Sequence, residues 1–245
     1  MIDPVAVYDT LAPSYAALSR TRNRYLKAIE RIIIAQTTGS DSLLDIGAGD
    51  GARTLRIAEA AGIPCVRALE PSENMRARWP HSLLGWGCKA TQIPVTQRRF
   101  DVILCLWNVL GHLKGRQERI SALAQARELL SPNGMMFVDV NHRYNAAEYG
   151  WPGTLLRMAH DRLRWSETNG DVIVRWKVDG NLVRCHGHLF TSPEIENIFR
   201  ETALRITNRW TVNYTDGTER RSCYEGHLLF QLSANQQSHI DESVR

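Results

Sequence analysis

The chain of 245 residues is poor in lysine. Of its 30 basic residues only Lys27, Lys89, Lys114 and Lys177 are lysines, and the arginines are scattered along the sequence. Scattered cations do not make the basic stripe that tracks a phosphate backbone, so nucleic acid is not the expected partner despite a net charge of +4. Cysteine is sparse as well. Cys65, Cys88, Cys105, Cys185 and Cys223 show no C-x-x-C pair and no metal-site spacing, so no bound metal is expected and the odd count points to buried free thiols in a reducing compartment. No apolar run approaches the roughly 18 residues of a membrane span. The first twenty residues lack the basic start and unbroken apolar core of a signal peptide, and the expected location is the cytoplasm, away from membranes. Internal repeats and low-complexity linkers are absent too.

What is present is an ordinary globular composition, 43% hydrophobic and 23% charged, in a chain long enough for one large α/β domain or two small ones. Residues 5–36 read as one or two amphipathic helices broken near Pro13. Strand-like and helix-like runs then alternate: "SLLDIGA", "ARTLRIAEAAG", "CVRALEPS", "ENMRARWP", "FDVILCLWN", "QERISALAQARELLS" and "GMMFVDVN". Such alternation across 42–141 predicts right-handed βαβ units and a parallel sheet covered on both faces.

The rest has a different pattern. "DVIVRWKVDGNLVRCHGHLF" reads as a hairpin around Asp179-Gly180-Asn181, "TSPEIENIFRETAL" as a helix with a Ser cap and Pro in its first turn, and "RITNRWTVNY" and "CYEGHLLFQLS" as strands joined near Asp216-Gly217. The expected architecture is a doubly wound, mostly parallel seven-stranded α/β sheet. A helical cap (1–40) precedes a core (41–142 and 189–234), with a small antiparallel β cover inserted at 143–188 and a frayed tail at 235–245.

The densest signal is "LLDIGAGDGARTLRIAEAAG", which packs Gly47, Gly49 and Gly51 directly after an apolar strand carrying Asp45. In a doubly wound sheet the loop after the first strand floors the ligand crevice, and glycines there let a ligand rest on bare backbone. The loop also fits G-x-G-x-x-G/A, the dinucleotide fingerprint. Asp45 argues against a pyrophosphate and for an ammonium or sulfonium group. Glu70, ending the second strand, suits a ribose diol. Diol plus cation describes S-adenosylmethionine better than NAD.

At this point the chain resembles the class I S-adenosylmethionine-dependent methyltransferases of small-molecule type. "LDIGAGDG" is similar to their D-x-G-x-G loop, "LEPS" to the acidic strand end that holds the ribose, and "KATQIP" to D-A-x-x-L-P beside adenine. "FDVILCLWNVLGHL" resembles the fourth strand, "LLSPNGMMFVDV" the L-x-P-G-G before the fifth, and "VYDTLAPSYAAL" the Y-D-x-x-A-x-x-Y helix that closes over the cofactor. The resemblance implies methyl transfer from S-adenosylmethionine, with cofactor contacts at Asp45, Gly47, Gly49, Glu70, Pro71, Ala90 and Leu106. Tyr15 and Arg20 of the leading helix join them, Arg20 as a grip on the methionine carboxylate or else on a solvated helix face. Two positions depart from the family: Lys89 replaces the aspartate that accepts from the adenine amine, and Asn133 replaces a glycine.

The acceptor is expected beyond the fourth and fifth strands, at Trp107, Asn108, Arg143 and Tyr144. His112 and His142 are the candidate general bases, since an unperturbed imidazole titrates near neutrality; the alternative for His112 is packing or capping. Trp107 and Trp151 either stack on the acceptor or fill core. By period two, Arg184, His186 and His188 share one face of the hairpin, and Arg175 and Lys177 one face of the partner strand. Turned inward, Arg184 and His186 imply an anionic acceptor; turned outward, they form a solvated face. A metal at His186 and His188 is not expected, because no third ligand lies at a suggestive spacing. The expected partner is a small molecule and the expected state a monomer or homodimer. An NAD-linked oxidoreductase and a catalytically silent cofactor-binding protein remain as alternatives.

Overall fold

A computed structural model describes residues 3–94, 96–178 and 181–235. The hairpin turn at Asp179-Gly180, the Lys177 side chain and the tail from 236 onward lie outside them. Three helices lead: α1 (Pro4–Leu11), α2 (Tyr15–Arg20) and α3 (Asn23–Thr37). Then come β1 (Ser42–Ile46), α4 (Ala52–Ala61), β2 (Cys65–Leu69), α5 (Glu73–Arg76), β3 (Leu84–Trp86), β4 (Phe100–Cys105), α6 (Gly115–Glu128) and β5 (Leu130–Val140). The remainder is α7 (Ala146–Tyr149), α8 (Trp151–Leu163), β6 (Asp171–Val178), β7 (Asn181–His188), α9 (Ser192–Glu201), β8 (Leu204–Val212), β9 (Glu219–Arg220) and β10 (His227–Ala234).

The main sheet runs β3-β2-β1-β4-β5-β10-β8-β9. Strands β3 to β5 are parallel, and β10, β8 and β9 pair antiparallel. Of its eight strands, β9 is a two-residue edge beyond the seven expected, and β3 at the other edge has three residues. Adjacent residues such as Leu43/Leu44, Leu104/Ile103, Phe137/Met136 and Leu229/Leu228 point to opposite faces and all are buried. The first of each pair packs beneath α3 and α4 (Tyr25, Ile29, Ile33, Ile57), the second beneath α6 and α9 (Leu123, Ala126, Ile195, Phe199). Both faces of the sheet are therefore covered, which is why its strands read as continuous apolar runs.

Strand β1 starts where Asp101 Oδ2 accepts the Asp41 and Ser42 amides and the Ser42 hydroxyl. Gly62, at φ 72°, stops α4 in a left-handed cap. The cap of α9 is Thr191 rather than Ser192: its hydroxyl accepts from Glu194 N–H while the Glu194 carboxylate accepts from Thr191 N–H, so Ser192 falls at the first helical position. Strand β3 is short and half exposed, and its pattern "LGW" carried no strand signal.

The segment 143–188 differs from the all-β cover that was expected, because it opens with α7 and α8 before the β6–β7 hairpin. Gly150 and Pro152 start α8. That helix buries only Thr154 and Asp161, leaving Leu155, Leu156 and Leu163 exposed. The hairpin is rooted by His188, fully buried, whose Nδ1 and Nε2 meet Asp171 Oδ1 at 2.7 Å and Glu194 Oε1 at 2.8 Å. Buried Arg119 lies against the same two carboxylates. Among the described residues no helix is long and apolar enough to cross a membrane.

Arg143 is part of this internal framework. Its Nε and Nη2 meet the Asp161 carboxylate at 2.6 and 2.9 Å, with both residues buried. Replacing Arg143 with Met strands a buried carboxylate, and urea denaturation should register a loss of about 3–5 kcal/mol.

Candidate active site

The strand order reverses between β1 and β4, and a cleft of about 300 Å³ opens at their carboxyl ends. Gly47, Gly49 and Gly51 on its floor take φ of 76°, 57° and 72°, a region glycine enters at no steric cost. A Cβ on Gly47 would stand 2.5 Å from Val109 Cγ2, and one on Gly49 would stand 3.1 Å from the Tyr15 hydroxyl. The bare backbone is thus required by close neighbours as well as by the turn.

Glu70, 6% exposed, lines the cleft. Its Oε2 accepts from Gly49 N–H and its Oε1 from Ser72 N–H, both at 2.9 Å. Two amides fix the carboxylate and leave lone pairs free for a diol. Burial raises its pKa, and those amide bonds partly offset the rise. Asp45 is fully buried in β1, two residues before Gly47. Its Oδ2 accepts from the Thr54 hydroxyl at 2.6 Å, while Oδ1 has no partner. Burial pushes its pKa up to about 6 against the pull of the Arg53 charge and Thr54.

A second wall comes from α1 and α2, with Asp3, Pro4, Val5, Tyr8 and Tyr15, and a third from the turn after β4 and from β7, with Val109, His112 and His186. Helix α1 is clasped to the strand end that carries Glu70: Asp9 Oδ1 accepts from the Ser72 hydroxyl at 2.5 Å and from Asn74 N–H at 3.1 Å. Between the walls, the Tyr8 hydroxyl lies 3.0 Å from His112 Nε2, and His112 Nδ1 lies 2.9 Å from the His186 carbonyl. A carbonyl only accepts, so Nδ1 carries the proton and Nε2 accepts from Tyr8. Burial lowers the His112 pKa and raises that of Tyr8, which keeps both neutral.

Trp107, another lining residue, is set in place by Asp139. This buried carboxylate accepts the Tyr25 hydroxyl at Oδ2 (2.7 Å) and the amides of Trp107 and Asn108 at Oδ1. Both amides belong to residues in left-handed conformation, φ 63° and 59°, which is costly for side chains other than glycine. The Trp107 ring then packs 5.7 Å from Tyr15.

Of the residues expected from sequence, the cleft brings together Tyr15, Gly47, Gly49, Glu70, Pro71, Ala90, Leu106, Trp107, His112 and His186. Asp45 lies beneath the floor and does not line it. The remaining expectations are corrected. Arg20 is exposed and away from the cleft. His142 is 1% exposed, with Nδ1 donating to the Cys223 carbonyl at 2.7 Å and its amide donating to His227 Nδ1; burial pushes its pKa down to about 4. Asn108 is buried as a structural tie, donating to the His188 carbonyl and accepting from Asn141 N–H. Arg143 and Tyr144 both bond Asp161 instead of a ligand. Arg184 is exposed opposite Arg175 on the outer face of the hairpin. Trp151 is exposed and outside the cleft.

Several lining residues were not expected, among them Tyr8, Arg53 and Lys114. Tyr8 stands in the sequence only as a family position. Arg53 carried a usable signal, because a side chain in the first turn after a glycine loop reaches back over that loop. Lys114 had none.

A family model described as a methyltransferase domain matches residues 16–208. The chain belongs to that family. It is an S-adenosylmethionine-dependent methyltransferase of class I. A search of curated protein sequences found no match. Solved structures of similar fold include an S-adenosylmethionine-dependent methyltransferase from Clostridium acetobutylicum, with 12% identity, 93% of this chain and 98% of that chain covered, and a TM-score of 0.64. The N-methyltransferase NodS from Bradyrhizobium japonicum, solved with S-adenosyl-L-homocysteine, shares 17% identity over 88% of this chain and 87% of its own, TM-score 0.55. The sugar N-methyltransferase KedS8 from Streptoalloteichus shares 16% identity over 90% and 92%, TM-score 0.58. Family membership removes the NAD-linked alternative.

The methyltransferase fits its cofactor on two observations: a cradle at Gly47 and Gly49 that any Cβ would fill, and an orphaned oxygen on Asp45, buried two residues before Gly47. That orphan has a thermodynamic signature. The Asp45 pKa in the folded state, about 6, exceeds its unfolded value near 3.9, so folding binds an extra proton between those pH values. Stability of the ligand-free protein therefore falls as pH rises from 4 to 6, by about 2 kcal/mol on this account. Asp45→Asn should flatten that fall in chemical denaturation measured across the same range.

Proposed function

We propose that the methyltransferase acts on an oxygen or nitrogen of a small-molecule acceptor. The observation that carries this reading is the Tyr8–His112 pair, a proton-accepting couple in the cleft wall. Glu70 would hold the ribose diol, and Gly47 and Gly49 would support the amino-acid arm with Tyr15 above them. Pro71, Ala90 and Leu106 would flank the adenine. Bound S-adenosylmethionine supplies an electrophilic methyl group; the chain aligns the acceptor and keeps water out. His112 Nε2 takes the proton of an acceptor hydroxyl or ammonium, directly or through the Tyr8 hydroxyl. Its lowered pKa keeps it able to do so below pH 6.5.

Residues 1–40 and the hairpin end of 143–188 form the cover in this reading, supported by Tyr8, Tyr15 and His186 in the cleft wall. Nitrogen is favoured over oxygen by the fold likeness to N-methyltransferases, among them the sugar N-methyltransferase KedS8. With Arg143 paired to Asp161 and Arg184 on the outer face, recognition of an anionic acceptor would fall to Lys114 at the cleft. The five free cysteines support a reducing, cytoplasmic setting.

Incubation with methyl-labelled S-adenosylmethionine and a panel of amino sugars, amines and phenols should move label to nitrogen. Tight S-adenosylhomocysteine binding with no labelled product from any acceptor would favour a silent cofactor-binding protein instead. On the acceptor found, His112→Gln should lower the single-turnover rate by on the order of 10²–10⁴ and leave S-adenosylhomocysteine affinity unchanged. Glu70→Ala should weaken that affinity in calorimetry by on the order of tenfold or more, as expected for the loss of charge-assisted hydrogen bonds.

A further inference from the structure

The amino-acid arm of the cofactor is a zwitterion, and burying its carboxylate is costly unless a cation or hydrogen-bond donors meet it. Among the described residues that line the cleft, Arg53, Lys89 and Lys114 are the cations. Lys89 adjoins Ala90 after β3, and Lys114 precedes α6, so neither belongs to the glycine loop. Arg53 does, standing in the first turn of α4, two residues after Gly51. Arg20, the arginine that the family resemblance put forward for this grip, is exposed and off the cleft.

Arg53 is unusual in what it does not touch. Its guanidinium forms no hydrogen bond or ion pair with any described residue, and its Nε is buried without a partner. A buried donor left unmet is costly, and a guanidinium serving only as a structural counter-ion would be expected to sit against a carboxylate, as Arg143 sits on Asp161. Asp45, beneath the floor, is the charge that most favours the guanidinium against the desolvation that opposes it. The second unmet group lies at the same loop: Asp45 Oδ1, on a fully buried side chain, also has no partner. Asp45 does not line the cleft, so of the two only Arg53 can meet a bound amino-acid arm directly.

We propose that Arg53 is the carboxylate anchor of the cofactor's amino-acid arm, in place of any arginine of the leading helices. This rests on the reading that Glu70 holds the ribose, which places the adenosyl end away from Arg53. The planar fork of the guanidinium makes two parallel bonds to a carboxylate, so Arg53 selects for an intact amino-acid arm.

The test is calorimetric and needs no methyl acceptor. Three probes are titrated: S-adenosylhomocysteine, its decarboxylated form 5′-deoxy-5′-(3-aminopropylthio)adenosine, and 5′-methylthioadenosine, which lacks the arm. The wild-type protein should prefer S-adenosylhomocysteine over the decarboxylated probe by on the order of 10- to 100-fold, the range for a charged hydrogen-bonded pair. Arg53→Gln should erase that preference while binding 5′-methylthioadenosine as the wild type does. Arg53→Lys should restore part of it, keeping charge without the fork, and Arg20→Gln should change nothing. Equal losses for all three probes in both Arg53 variants, or a preference erased by Arg20→Gln alone, would overturn the assignment. Weak 5′-methylthioadenosine binding in the wild type, unaffected by Glu70→Ala, would fault the ribose reading instead, and the preference among the other two probes would still decide Arg53.

Discussion

A single carboxylate organises the glycine-loop end of the cleft in this methyltransferase. Glu70 receives the amide of Gly49 on one oxygen and that of Ser72 on the other, so the loop after β1 and the turn after β2 are held by the same rigid group. Ser72 passes the restraint on through its hydroxyl to Asp9 of α1, and Arg76 Nη1 closes the turn by donating to the Glu70 and Pro71 carbonyls. Loop, strand end and leading helix are therefore coupled before any ligand arrives. Preorganisation of this kind removes ordering cost from binding.

The Trp107 side of the cleft depends on a different buried carboxylate. Asp139 draws two consecutive amides toward one oxygen, and left-handed backbone at Trp107 and Asn108 is the geometry that this demands. Strain of that kind persists only where surrounding structure fixes it, and here Tyr25 and the β4–β5 pairing do so. Asn108, locked to the His188 carbonyl and to Asn141, ties the turn to the root of the hairpin. The side chain serves the frame, and the neighbouring Trp107 ring serves the cleft.

The sheet and the glycine loop were legible in the sequence because both follow from local pattern. Alternating strand and helix runs gave the parallel half, and the triple glycine after "LLDI" gave the floor. Glu70 was legible because it ends a strand beside that loop. What failed were residues whose roles depend on long-range partners. His142, Arg143 and Tyr144 follow β5 as an acceptor site would, yet Cys223 and Asp161, distant in sequence, absorb them. Helix α8 escaped notice because its solvent-facing leucines blur the helical stripe that a buried helix presents. Tyr8 became visible only when the fold brought α1 against the turn after β4.

The two flanks of the cleft are fastened by different means. On the hairpin side, the fully buried His188 ring is held between Asp171 and Glu194, and stripping a buried polar group of its partners is costly. On the α1 side, Val7 and Leu11 are buried in one cluster with Met75 and Cys185, and Asp9 is tied to Ser72 and Asn74. The bond from the Tyr8 hydroxyl to His112 joins the two fastenings across the cleft, so it acts as a keystone, and a shift of either flank would register there first.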